Sequence, residues 1–139
     1  MSMEKEQSKK LLIFAMAGDL DGVKQLAEAG ACINCYNKNP LEAAIEGGHL
    51  EIVKYLLSRG ALIHIDFKNG GGTSETLWLA AKHRRLDIIK CLLESRQAST
   101  YKPRDFAAAA GESDEYGYDE ITELLRKERN KCKERLGIK

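Results

Sequence analysis

Between Pro40 and Gly60 the apolar residues fall into two short stripes. Ile52, Val53, Leu56 and Leu57 stand at i, i+1, i+4 and i+5, with Glu51, Lys54 and Arg59 on the polar side. That is the signature of a helix burying one face. Ahead of it Leu41, Ala44 and Ile45 recur at helical spacing behind Pro40. A proline suits a first helical position, where its φ is already right and its missing N–H is not needed. Gly47-Gly48 divides the stripes, and Gly60 stands where a left-handed helix C-cap favours glycine. The pattern predicts a helix–turn–helix unit. Helices shorter than about 12–15 residues are marginal alone in water, so this unit needs neighbours. The same stripes return at residues 11–17 with 20–29, and at 76–83 with 86–95.

The recurrence is close. Ala17-Gly18-Asp19-Leu20-Asp21 through Gly30-Ala31 is echoed 30 residues on by Gly47-Gly48-His49-Leu50-Glu51 through Gly60-Ala61. Leu86-Asp87-Ile88-Ile89-Lys90-Cys91-Leu92-Leu93 follows 36 residues after Leu50. A period of about 30–36 residues marks a stacked helical repeat, each copy burying its apolar face against the next. Ala15, Ala44, Ala80 and Ala81 on the first helices leave room for close approach.

On these residues the chain resembles the ankyrin-repeat family. Pro40-Leu41-Glu42-Ala43-Ala44, Gly48-His49-Leu50-Glu51-Ile52-Val53 and Arg59-Gly60-Ala61 follow that pattern. So does Thr76-Leu77-Trp78-Leu79-Ala80-Ala81, although Arg84-Arg85 stand where Gly-His is usual. The resemblance implies an all-α fold, an ankyrin-repeat solenoid of stacked helix-turn-helix units with short β-hairpin or loop fingers. The expected organisation is a polar N-terminal extension over 1–8, repeats at 9–34, 35–64, 65–99 and 100–127, and a basic helical extension over 128–139. The last repeat is the most divergent: Pro103-Arg104-Asp105-Phe106 and Glu120-Ile121-Thr122-Glu123-Leu124-Leu125 read as its helices. The acidic stretch 111–117 between them is expected to be a long loop. Ile121, Leu124, Leu125, Cys132 and Leu136 are expected to form the seam of the final helix.

The unequal spacing shortens the first finger and lengthens the second, which carries Gly70-Gly71-Gly72. Long loops on a rigid scaffold are common sites of contact. The resemblance implies partner binding through finger tips and exposed positions late in each first helix, lining a concave groove. The finger positions are Tyr36, Asn37 and Asn39, then Asp66, Phe67 and Lys68. The helix positions are Glu46, Lys82 and His83, with Trp78 beside them, and Met16, Ala17 and Gly47 at equivalent places. Aromatic residues make good anchors, although Trp78 takes the place of a partly buried histidine of the family and core packing is its favoured role.

Composition narrows the chemistry. A net charge of +1 gives no global pull toward nucleic acid or membrane. No run approaches the roughly 20 apolar residues of a membrane span. The first ten residues lack the apolar core of a secretory signal, so Cys32, Cys35, Cys91 and Cys132 are expected as reduced thiols in an intracellular, cytoplasmic setting. Cys32-Ile33-Asn34-Cys35 is a lone CxxC, short of the four ligands of a structural zinc site. His49 is assigned a hydrogen bond at its helix start. From Arg126 onward seven Lys or Arg face two Glu, a basic helical end with no aromatic residue for stacking on bases. The reading is a non-catalytic module, without cofactor, metal or small-molecule substrate, that binds another protein as adaptor, scaffold or regulator. The alternatives are an inhibitor occluding a partner enzyme, a metal or redox protein using Cys32 and Cys35, and nucleic-acid binding through the basic helix.

Overall fold

A computed structural model of the chain describes residues 3–34, 40–63 and 75–138. Among them the structure is helical, with no strand. It divides into two units, residues 1–63 and 64–139.

The first unit holds α1 (Met3–Ala17), α2 (Leu20–Glu28), α3 (Pro40–Gly47) and α4 (Leu50–Ser58). Two helical hairpins, α1–α2 and α3–α4, pack side by side, α1 on α3 and α2 on α4. Leu11, Ala15, Val23, Leu41, Ala44, Ile45, Ile52, Val53 and Leu56 are buried between them, so the stripes read from the sequence face inward. The polar residues from Met3 onward are the opening turns of α1. The Asp19 carboxylate caps α2, accepting from the Gly22 N–H at 3.0 Å. A Gly22 Cβ would lie 2.8 Å from the Phe14 ring.

Three side chains tie one repeat to the next. The Asn34 amide donates to the Gly60 carbonyl and its oxygen accepts from the Leu62 N–H, both at 3.0 Å. Arg59 donates to the Ala27 carbonyl at 3.3 Å. His49 Nε2 donates to the Met16 carbonyl at 3.1 Å. The imidazole makes no cap bond to its own helix, which corrects the helix-start role assigned above. Its ring instead fills the space over Gly18 and Gly47, where a Cβ would come within 2.7 and 2.5 Å of it.

The second unit holds α5 (Thr76–Lys82), α6 (Leu86–Glu94), a 3-10 turn (Ala98–Thr100), α7 (Pro103–Glu115) and α8 (Asp119–Leu136). α5 pairs with α6, α7 with α8, and α5 packs on α7. Arg84 adopts φ +54°, the left-handed conformation that Gly18 and Gly48 take at the equivalent turns. α7 starts with Pro103, and the Asp105 carboxylate accepts from the Lys102 N–H at 2.8 Å.

The acidic stretch expected as a loop is helical through Glu115. Ala107-Ala108-Ala109-Ala110 are strong helix formers and carry the helix into it. Ser113 is fully buried, its hydroxyl 2.6 Å from that of Thr122 across the α7–α8 pair. Only Tyr116-Gly117-Tyr118 turns.

Tyr101 is buried, its hydroxyl 2.7 Å from that of Thr76 and its ring edge-on to Phe106. The far end of α8 returns to this segment: Cys132 Sγ donates to the Tyr101 carbonyl at 3.5 Å and Arg135 to the Ser99 carbonyl at 3.3 Å. Ile121, Leu125 and Cys132 form the buried seam, Leu124 is half-buried, and Leu136 is 53% exposed. The expected seam therefore stops a turn early, one turn short of Gly137.

Candidate partner-binding surface

The thirteen-residue α7 and the short α5 place a group of polar and aromatic side chains together. Trp78 and Lys82, four apart on α5, share one helix face. Trp78 is half-buried; its Nε1 donates to Glu112 Oε2 of α7 at 3.3 Å. The Lys82 ammonium sits 4.9 Å from the centre of the indole ring. A cation over an aromatic face at an exposed site contributes about 0.5–1 kcal/mol, and the Glu112 bond sets the ring's orientation. Trp78 is thus fixed by two partners yet keeps part of its surface open. His83 follows as the exposed C-cap of α5.

A second cation–aromatic pair lies at the adjoining turns. The Arg84 guanidinium sits 5.3 Å from the Tyr118 ring centre. Tyr116, 53% exposed, stacks on Tyr118 with centroids 5.5 Å apart and planes at 20°. Sequence reading missed Glu112, Tyr116 and Tyr118. The available signal was the tyrosine pair flanking Gly117, together with an arginine where the repeat takes glycine.

In the first unit Glu46 is exposed near the end of α3, and Met16 is exposed at the end of α1, 52% accessible, with Ile13 one turn before it at 58%. Glu46 is therefore not brought together with Trp78, Lys82 and His83 within one unit. Tyr36, Asn37, Asn39, Asp66, Phe67 and Lys68 lie outside the described residues, as does Cys35. Cys32 is disulfide-bonded, which corrects the expectation of a reduced thiol there; Cys91 and Cys132 are in no disulfide. A sulfur committed to a disulfide is not a zinc ligand, because the metal binds thiolate. No cluster of three or more His, Cys, Asp or Glu residues able to hold a metal occurs among the described residues. No helix among them is long and apolar enough to cross a membrane.

Residues 2–69 match the family described as ankyrin repeats, in three copies. Residues 2–69 thus carry a small array of ankyrin repeats, a protein-interaction fold. A stretch of 69 residues is 38% identical to the 2-5A-dependent ribonuclease of Mus musculus. That match covers 47% of this chain and 9% of the ribonuclease, so the chain spans under a tenth of that relative.

Proposed function

We propose that this ankyrin array binds another protein, as adaptor, scaffold or regulator, using the exposed ends of α3 and α5 and the finger positions Tyr36, Asn37, Asn39, Asp66, Phe67 and Lys68. The observation that carries the reading is Trp78, held half-open between Lys82 and Glu112. Interface energy concentrates in aromatic and arginine anchors, and an anchor fixed before binding loses little entropy on contact. Trp78 with Lys82, His83 and the Tyr116–Tyr118 stack forms such a group, and Glu46 supplies a separate acidic contact. No step requires a cofactor, and 9% of a ribonuclease gives no ground for assigning RNA cleavage. Cys91 and Cys132, which are in no disulfide, support an intracellular site of action; the disulfide at Cys32 stands against it.

The test is affinity capture from the native host with wild-type protein and with the Trp78→Ala/Lys82→Glu variant, its fold checked by circular dichroism. The expected result is at least one protein retained by the wild type and lost with the folded variant. Identical capture profiles would refute the assigned surface. Assay of a captured enzyme with added protein separates inhibitor from adaptor, since an adaptor leaves turnover unchanged.

A further inference from the structure

Among the described residues, every serine and threonine but one is buried or already bonded. Ser8, Thr76, Ser113 and Thr122 are buried. Ser58, Ser95 and Thr100 each donate to a backbone carbonyl three residues earlier. Ser99 differs. It stands exposed in the 3-10 turn between α6 and α7, and its hydroxyl forms no hydrogen bond among the described residues. Arg96, also exposed, lies three residues ahead of it in Arg96-Gln97-Ala98-Ser99. The Ser99 carbonyl accepts from Arg135 Nη2 of α8 at 3.3 Å. Ser99, Lys131 and Arg135 border one opening of about 260 Å³, with Glu128 as the carboxylate beside them. Lys131 pairs with Glu128 at 3.4 Å, but its side chain is 61% exposed, so solvent screens the pair and holds it loosely. Two cations thus stand beside the residue whose hydroxyl is open to attack on an electrophile.

We propose that Ser99 is a phosphorylation site, read by a protein kinase through Arg96 and received by Arg135 and Lys131. A kinase with an acidic subsite three residues upstream of the acceptor hydroxyl pairs with Arg96, since such enzymes select substrates by charge pattern. In the transfer Ser99 Oγ bonds to the γ-phosphorus of ATP, and the bond from that phosphorus to the β–γ bridging oxygen breaks. ADP leaves, and the hydroxyl proton passes to the kinase's catalytic base. The phosphoserine carries a charge of about −1.5 to −2 at neutral pH and three strong acceptor oxygens. Arg135 has only to turn from the Ser99 carbonyl to a phosphate on the same residue. Lys131 exchanges a screened carboxylate for a more highly charged partner. Charge-assisted bonds of this kind are the strong ones. Glu128 repels the phosphate, and two cations outweigh one carboxylate. The result is a clasp that fastens the last turn of α8 to the turn ahead of α7. Ser113 sits in the acidic run Glu112-Ser113-Asp114-Glu115 but is fully buried, closed to any kinase. The inference is independent of the protein-binding reading and uses none of its residues.

The test incubates full-length protein with ATP and calcium/calmodulin-dependent protein kinase, a kinase that reads an arginine three residues before its serine. Tandem mass spectrometry maps the product. The expected result is phosphate on Ser99, added about tenfold more slowly in Arg96→Ala and absent from Ser99→Ala. Amide hydrogen exchange over residues 130–138 is expected to slow about tenfold once Ser99 is phosphorylated. Lys131→Ala/Arg135→Ala should accept the phosphate at the wild-type rate and show no such slowing. Each variant is compared with itself before and after phosphorylation, so any effect of the substitution on the fold cancels. Absence of transfer to Ser99 overturns the proposal, as does transfer to Thr100 in its place. Exchange that is unchanged or faster after phosphorylation overturns the clasp. Slowing that survives the loss of both cations overturns it too.

Discussion

His49 shows how one side chain serves two repeats. Its ring occupies the volume left by two glycines and bonds to a carbonyl 33 residues upstream. His49→Ala leaves the Met16 carbonyl to water and is expected to cost about 0.5–1.5 kcal/mol, read from the urea midpoint. Gly47→Ala drives a methyl into the ring and is expected to cost about 1–3 kcal/mol by overpacking. The double variant removes the clash, so its loss should fall short of the sum of the two; strict additivity would mean that ring and glycine do not meet. Arg84 is a different kind of constraint. A left-handed conformation disfavours side chains by roughly 1–2 kcal/mol, most severely when β-branched. Arg84→Val is therefore expected to lower the melting temperature. Arg84→Gly should leave it nearly unchanged, its relief offset by unfolded-state entropy and the lost Tyr118 contact. A valine variant as stable as the glycine one would show that the turn relaxes.

At the level of elements, the helices follow from local pattern and the links between them do not. Pro40, Gly60 and the apolar stripes mark α3 and α4 closely enough for their ends to be read directly. Leu56 is fully buried at the centre of that pair, and Leu56→Ala is expected to cost about 2–5 kcal/mol, measured by chemical denaturation. Asn34 is less obvious: a polar residue after a helix whose two bonds join the ends of successive repeats. Asn34→Ala leaves both backbone groups without that partner, and a loss of about 1–3 kcal/mol is expected. No change in stability would mean that water replaces the amide at no cost. The helical reading failed at 111–115, where the acidic, glycine-containing run suggested a loop. Local composition weighed against a helix there; the buried Ser113–Thr122 contact across α7 and α8 is a tertiary term that composition does not contain.

For the whole molecule, the proposed function depends on residues from several repeats acting on one partner. Tyr36→Ala/Phe67→Ala is expected to weaken partner capture while leaving thermal unfolding nearly unchanged, a comparison made by pull-down beside a melting curve. Unfolding of that variant would make both residues part of the core. The repeat period, the two-helix unit, the buried stripes and the family were all legible in the sequence, because each rests on spacing along one chain. Trp78, Lys82 and His83 entered as contact candidates through the resemblance to the family, and their role is part of the proposed function. The sequence did not reveal that Glu112 orients Trp78, that Tyr118 receives Arg84, or that Cys132 and Arg135 anchor the end of α8. Nor did it show that Lys131 and Arg135 border the same opening as Ser99. These pairings join residues 31 to 36 positions apart. Periodicity determines which face of a helix turns inward; only packing decides which distant side chain it meets there.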